Sequence, residues 1–389
     1  MALLAPGTVA ELGARVRTGL RDKLGAEAVA VGRAPGRVNL IGEHTDYNGG
    51  LVLPVALPHA TYAAAAPRGD GLVHLVSAQE PEPFTGHVDH LGPGEATGWA
   101  AYAAGVLWAL REAGHEVPGM DLYVDGTVPL GAGLSSSAAI ECAVAMAVVG
   151  VLGLDLDDRL RDDLVAACIR AETEVADAPT GGMDQSIAIH GRSGAALLID
   201  FAAGTYEPVA LALGDRTILV TDTRVSHRLT DGGYGSRRAD CEKAAAALGV
   251  RTLRDATLAA VEDLSDDVVR RRARHIVTEI ARVPPTVAAL RSADWSALGE
   301  LFGASHASMR DDFEISTPEL DLAVATAVAA GADGARMTGG GFGGSIVSVV
   351  SAGAVEEVVA AIDAAFGDAG YAPPAHLLAE PSAGATLLV

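Results

Sequence analysis

An α+β protein of two domains is what this sequence predicts, and three observations carry that expectation. The chain has 389 residues, more than one hydrophobic core ordinarily organises. Hydrophobic residues make up 49% of it and charged residues 20%, the balance of a folded, soluble chain. Strand-like runs gather before residue 80, whereas helical spacing dominates from 236 to 330, so mixed sheets with packed helices are expected in place of a strict strand-helix alternation.

Taken in order, residues 8–25 space their apolar positions for one face of a helix. Residues 28–33 read as a strand that ends in the turn Ala34-Pro35-Gly36, since proline and glycine punctuate regular structure. A polar loop follows, then strands over 51–56, 59–66 and 72–78, where apolar residues alternate or run on. Trp99, Tyr102, Val106 and Leu110 recur at helical spacing over 97–113, and Trp99 and Trp108 are read as packing residues, not as stacking partners for a nucleobase. Residues 121–126 read as a strand, and after a glycine-serine loop a long apolar helix opens near Ser136. Its stretch 138–154 is broken by Glu141 and falls short of the roughly 20 apolar residues that cross a bilayer, so a buried helix is expected. A helix over 157–176 and strands over 195–201 and 216–221 follow. The boundary is expected near 205–215, dividing the chain into 1–207 and 208–389. The second half reads as helices near 236–247, 268–282, 295–310 and 318–330, a glycine run, a strand over 345–350 and a helix over 354–366.

Charge and cysteine usage exclude several classes. A net charge of −22 leaves no basic patch to displace counterions from nucleic acid and disfavours an anionic membrane surface. The lysines are Lys23 and Lys243; with no G-x-x-x-x-G-K-[ST] in the chain, a P-loop is excluded. Cys142, Cys168 and Cys241 are far apart and unpaired in sequence, which argues against a disulfide framework or a zinc site and fits a reducing cytoplasm. No signal peptide is apparent at the N-terminus.

Four segments concentrate chemistry. Gly36 to Gly49 reads G-R-V-N-L-I-G-E-H-T-D-Y-N-G, placing a cation, two carboxylates, an imidazole and a phenol among glycines, a set suited to a polyhydroxylated ligand that several donors and acceptors must fix at once. Pro129 to Ala139 reads P-L-G-A-G-L-S-S-S-A-A. Its glycines permit close backbone approach, and its serines sit at a helix start, whose unpaired N–H groups and dipole make an anion site without a lysine. Pro179 to Gln185 reads P-T-G-G-M-D-Q and presents Asp184 after paired glycines. Arg336 to Ser345 reads R-M-T-G-G-G-F-G-G-S; although Gly339, Gly341 and Gly344 satisfy G-x-G-x-x-G, a strand follows instead of the helix that a dinucleotide fingerprint requires.

In this order the segments resemble the galactokinases, the galactose-specific branch of the GHMP small-molecule kinases. The first is similar to their N-terminal signature, the second to P-x-G-x-G-L-S-S-S-A, and the fourth to their third glycine-rich motif. The resemblance implies a two-domain GHMP-kinase-like fold with the site in the cleft between domains, and ATP-dependent transfer of phosphate to the anomeric hydroxyl of D-galactose, the first kinase step of the Leloir pathway. It further implies that Asp184 is the base or orienting group and Arg37 its partner. By the same resemblance, Glu43, His44, Thr45, Asp46, Gly181 and Tyr234 hold the sugar. Gly131, Ala132, Gly133, Leu134, Ser135, Ser136 and Ser137 wrap the ATP phosphates, Ser77 contacts the nucleotide, and Ser137 and Glu172 bind Mg2+. Thr180 and Gly182 stand where many relatives carry cysteine and isoleucine. A non-catalytic galactose- and ATP-binding sensor is the other reading, and the intact Ser135-Ser136-Ser137-Ala138-Ala139 argues against it; a sibling kinase acting on another acceptor is the third.

Overall fold

Residues 3–225 and 233–388 are described by the computed structural model of the chain. The first half runs α1 (Val9–Leu24), β1 (Ala30–Asn39), β2 (Leu51–Val52), β3 (Pro54–Arg68), β4 (Leu72–Ser77), β5 (Phe84–His87), α2 (Trp99–Glu112), β6 (Gly119–Gly126), α3 (Ser136–Leu152), α4 (Asp158–Arg170), α5 (Met183–His190), β7 (Ala195–Asp200) and β8 (Thr205–Ala210). The second half runs β9 (Arg216–Asp222), α6 (Gly233–Leu248), α7 (Leu258–Glu262), α8 (Asp267–Ser292), α9 (Trp295–Asp311), α10 (Pro318–Ala329), β10 (Gly334–Thr338), β11 (Ser345–Ser351), α11 (Val355–Ala369), β12 (Ala375–Leu378) and β13 (Thr386–Leu388). Among the described residues the strands form three sheets, ordered β13-β1-β3-β6-β4-β5, β10-β11-β9-β12 and β2-β7-β8. Within them β4 and β6 run parallel. No helix among the described residues is long and apolar enough to cross a membrane.

The α+β expectation holds, with local differences that have physical causes. Ala34-Pro35-Gly36 is not a turn. β1 continues through it, and its pairing with β3 shifts register between Pro35 and Arg37, a bulge that absorbs the proline and re-aims the arginine. The strands expected over 51–56 and 59–66 are divided differently, because Leu53 separates a short β2 in another sheet from a continuous β3. Helix α8 runs beyond 282 through Pro284 and Pro285. Prolines remove intrahelical donors, but Val283, Val287 and Leu290 are held in a core shared with Val38, Leu40 and Leu53, and that packing carries the helix through. The helix expected over 157–176 is α through Arg170 and then a π turn over Ala171–Val175. The short elements β5, β8, β12, β13, α5 and α7 were not expected, and neither was β10, which makes the last glycine run the loop of a β-hairpin. The expected division at 207/208 falls inside β8, and β13 carries the end of the chain back to β1 in the first sheet.

Two layers fix the site. Helix α1, closed at its start by a Thr8–Glu11 capping box, lays Leu12, Val16 and Leu20 against Tyr62 and Tyr123 on one side of the six-stranded sheet. Helix α3 crosses the other side, where its fully buried Cys142–Val149 stretch meets β1 and β3. Close contact of α3 with β1 needs a residue without a side chain at position 32: a Cβ on Gly32 would lie 2.6 Å from the Ala147 nitrogen and 2.9 Å from the Met146 Cβ. Gly32→Ala should therefore cost about 1–3 kcal/mol through overpacking, read as a lower urea midpoint at unchanged slope. Gly69→Ala, which meets open space, should leave the midpoint nearly unchanged.

Candidate active site

Three separated motifs converge on one carboxylate. The β1 bulge turns Arg37 toward α5, where its Nε donates to Asp184 Oδ1 at 2.7 Å and its Nη2 to Asp184 Oδ2 at 2.9 Å. This is the bidentate geometry that a planar guanidinium allows. Arg37 Nη1 donates to the Gly133 carbonyl at 2.7 Å, and the Arg37 backbone N–H donates to the Leu134 carbonyl at 3.1 Å. The Ser135 hydroxyl donates to Asp184 Oδ2. Gly36 is required beneath this crossing, because a Cβ there would come within 2.7 Å of the Leu134 carbonyl. Asp184 sits in the first turn of α5, not at the end of a preceding helix, and Gly182 opens that helix at φ 96°, a conformation that favours glycine. The side chain of Arg37 is 6% exposed and that of Asp184 22%, so the acid keeps an open face while its partner is enclosed.

The glycine-serine loop directs its acceptors inward. The Ala132 carbonyl accepts from the Ser345 hydroxyl at 2.7 Å, and those of Gly133 and Leu134 accept from Arg37. With Gly131 at φ 72°, Gly133 at φ 71° and Ser135 at φ 58°, the chain curls into the start of α3. The strained serine at that start is the kind of outlier that clusters at functional sites.

Behind the loop lies an excess of negative charge. The Ser137 hydroxyl donates to Glu172 Oε1 at 3.0 Å, and the π turn is what brings Glu172 inward from α4; such turns recur at functional sites. Gln185 gives its side-chain amide to Glu172 and, at 2.9 Å, to Glu141. Burial, then the charge of Asp184, pushes the Glu172 carboxyl up to about 7. Burial, with Glu172 beside it, pushes the Glu141 carboxyl well up, and Glu141 Oε1 has no hydrogen-bond partner. Asp46 is pushed up to about 6 by burial and by Asp184. Among the described residues no group of three or more His, Cys, Asp or Glu is arranged to hold a metal, but Mg2+ needs only one or two protein oxygens, and Ser137 with Glu172 supplies such a pair.

A cavity of about 140 Å³ opens on the exposed face of Asp184, lined by Arg37, Glu43, His44, Asp46, Glu172, Tyr234 and Gly340 among others. His44, at φ 63°, is held at both nitrogens, Nδ1 by the Tyr47 hydroxyl at 2.8 Å and Nε2 by the Gly340 carbonyl at 3.1 Å. A carbonyl only accepts, so Nε2 carries the proton and Nδ1 accepts from the phenol. Burial holds this imidazole neutral, its pKa lowered to about 3. Tyr234 packs over His44 with ring centroids 4.9 Å apart. Gly181 is required by Asp46: a Cβ there would lie 2.7 Å from Asp46 Oδ1 and nearer still to Oδ2. Thr45 was expected among the sugar contacts but is placed elsewhere. It is fully buried, and its hydroxyl donates to the carbonyls of Gly42 and Leu51 at 3.0 and 2.7 Å, which fixes the loop's shape.

A second cavity, of about 240 Å³, adjoins the start of α3. Ser136, Ser137 and Ser77 line it, together with Thr61, Gln79, Trp99, Tyr102 and Ile140. Trp108 is a packing residue, covered by the Arg170 guanidinium at 4.6 Å. Trp99 instead reaches the cavity, its indole N–H fixed by the Glu82 carbonyl at 3.0 Å.

Comparison with known proteins agrees with this geometry. Family models described as the galactokinase galactose-binding signature, the GHMP kinases N terminal domain and the GHMP kinases C terminal match residues 20–67, 101–192 and 286–368. A Streptomyces coelicolor galactokinase is 50% identical over 377 residues, spanning 95% of this chain and 97% of that protein. The chain belongs to the galactokinase family. The human galactokinase is 42% identical over 94% of this chain and 95% of its own length. A crystal structure of Lactococcus lactis galactokinase complexed with galactose superposes with a TM-score of 0.90 at 30% identity, covering 97% of this chain and 99% of that one. The mevalonate kinase of Methanococcus jannaschii, at 16% identity and a TM-score of 0.64 over 90% of this chain and 98% of its own, shares the fold.

Around this galactokinase-family site the structure adds a buried ionic network that motif reading missed. Glu43 is 1% exposed. It accepts from Arg336, from Asn39 Nδ2 at 2.9 Å, and from the Thr338 hydroxyl and Gly339 N–H at 3.2 and 3.0 Å. Arg336 is wholly buried and also donates to the Leu40 carbonyl at 2.8 Å. On α8, Glu279 accepts from the Gly42 N–H at 3.0 Å and the Ser305 hydroxyl at 2.8 Å. One helix turn earlier, His275 meets the Glu43 carbonyl at 3.2 Å. Removing the cation strands the buried Glu43 carboxylate, while Glu279 keeps Arg282 at 2.8 Å, so Arg336→Met should lose about 3–5 kcal/mol of stability, measured by urea unfolding without ligand. A loss no larger than that of a surface arginine would contradict the network's weight.

Proposed function

We propose that this chain transfers the γ-phosphoryl group of ATP to the anomeric hydroxyl of D-galactose, yielding α-D-galactose 1-phosphate and ADP, with Asp184 and Arg37 as the catalytic pair. The observation that carries the assignment is the position of Asp184, clasped by Arg37, touched by Ser135 of the phosphate loop, and open to the cavity that Glu43, His44, Asp46 and Tyr234 line.

Galactose occupies that cavity. Tyr234 closes one wall and Asp46 accepts from sugar hydroxyls, with Gly181 leaving room for it. Glu43 and His44, already held by protein partners, shape the wall. A wrong hydroxyl pattern leaves the buried Asp46 carboxylate poorly paired, which is where selectivity of this kind comes from. Asp184 accepts a hydrogen bond from the anomeric hydroxyl, orients it toward the phosphate loop and takes its proton as the P–O bond forms. Arg37 fixes Asp184 at two points and spreads compensating positive charge beside the transferring group, where positioning and electrostatics dominate the rate. ATP lies with its phosphates over residues 131–137, against the N–H groups that open α3, and its base in the cavity lined by Ser77, Trp99 and Tyr102.

Mg2+ fits this charge distribution. Glu172, Asp46 and Asp184 lie near Arg37, with Glu141 behind Glu172, and a divalent cation held by Ser137 Oγ and a Glu172 oxygen would relieve that excess. When bound, it neutralises phosphate charge. The three buried free cysteines suit work in a reducing cytoplasm.

ADP release from MgATP, followed with D-galactose, D-glucose, L-arabinose, N-acetylgalactosamine and mevalonate, tests the assignment. Turnover with galactose that disappears on chelating the metal is expected. Galactose binding without ADP release would replace the kinase by a sensor, and turnover only with another acceptor would overturn the substrate. Asp184→Asn should lower kcat by about 10²–10⁴-fold with an unchanged circular dichroism spectrum, and near wild-type turnover in that variant would remove Asp184 from its role.

A further inference from the structure

A cavity of about 160 Å³ lies away from both catalytic cavities, lined by Arg161, His190, Arg192, Ala383 and Gly384 among others. We propose that it is a binding site for a small phosphate-bearing anion, free phosphate or a phosphate monoester. Two arginines, Arg161 and Arg192, line it, and a third, Arg33, bonds to carbonyls of its wall. Arg33 on β1 is 6% exposed, and its Nη1 reaches the cavity wall, touching the carbonyls of Ala383 and Gly384 at 3.3 and 3.5 Å. Its Nε is buried without any hydrogen-bond partner, a costly state for a cationic donor. Arg161 on α4 is half-buried and donates to the Ile189 carbonyl at 3.3 Å. Arg192 follows α5 and is exposed.

None of the three forms an ion pair among the described residues, in a chain of net charge −22 where acidic partners are plentiful. The nearest carboxylate, Asp162, lies 3.0 Å from His190 Nε2 and is 60% exposed. His190 itself is stacked on Tyr206 at 4.3 Å. Uncompensated guanidinium groups around a pocket are what a phosphate group satisfies, by forked hydrogen bonds as well as charge. The volume of about 160 Å³ is enough to admit a phosphate group. The same two elements that carry the catalytic pair lead here: β1 bears both Arg33 and Arg37, and α5 runs from Asp184 near its start to His190 at its end. The assignment of an anion to this pocket does not rest on the galactose reading.

Hydrogen–deuterium exchange of the whole chain, with inorganic phosphate, with a hexose phosphate, and with sodium chloride at equal ionic strength, tests the site. At about ten times its dissociation constant, phosphate should slow exchange in peptides covering 188–194 and 382–386 about tenfold relative to chloride. Protection by both phosphates assigns the site to the phosphate group itself, and protection by the ester alone assigns it to a phosphorylated sugar. Arg161→Ala with Arg192→Ala should abolish that protection while leaving turnover and any protection of 131–137 intact; both side chains reach solvent, so the variant should fold. Arg33→Met gives a second, independent loss. Absence of protection at 188–194 and 382–386, equal protection by chloride, or protection that survives in the double variant would overturn the proposal.

Discussion

Four carboxylates, those of Asp46, Glu141, Glu172 and Asp184, are gathered around the start of α3 and α5, and the two-point clasp of Arg37 on Asp184 is what makes that gathering tolerable. Burial, then the charge of Asp184, moves Asp46 and Glu172 upward, and like charges at such separations cost stability. The clasp also organises geometry. Arg37 reaches Asp184 because β1 bulges at Pro35, the bulge places its backbone against Leu134, and its third nitrogen fixes Gly133. One side chain thus sets the register of a strand, the path of the phosphate loop and the first turn of a helix together. In the proposed reaction, the residual negative charge is what a divalent cation would offset.

The wall opposite is set by a different device. Glu43 and Arg336 are buried deeply enough that either one alone would leave an uncompensated charge, and Glu279 beside them is paired with Arg282 as well. They join the signature loop to β10 and α8, which lie in the other half of the chain. Rigidity follows: Thr45 and Asn48 spend their side chains on backbone carbonyls of this segment, so the groups facing the cavity are presented without freedom to rearrange. For the proposed reaction, a carboxylate with an open face and a wall with almost none is a sensible division, since positioning is most of what phosphoryl transfer asks of a protein.

Much of this was legible in sequence, and the parts that were not share a cause. The four motif segments are local, so their glycines, serines and acids could be read where they stand. Glu141 is visible as a charge in an apolar run, but its role needs Gln185, 44 residues away. Arg336 reads as the residue before a glycine loop, and its partner Glu43 is 293 residues distant. His275 and Glu279 look like ordinary polar positions on α8 until the fold turns that face toward Gly42 and Glu43. Thr45 shows the converse: adjacency to His44 and Asp46 suggested a shared role, but a single residue's rotation turned its hydroxyl inward. Local differences in secondary structure, such as the strand through Pro35 and the helix through Pro284 and Pro285, arise where tertiary packing overrides a residue's local preference.

The central claim is that Arg37 and Asp184 act as one unit, and a double-mutant cycle on turnover with galactose and MgATP tests it most directly. Arg37→Met, Asp184→Asn and the combined variant are compared in kcat, with folding checked by circular dichroism. Residues that act as a unit give grossly non-additive losses, so the combined variant should be about as slow as the worse single variant. Losses that multiply, with the double variant slowed by the product of the two, would show independent contributions and contradict the account.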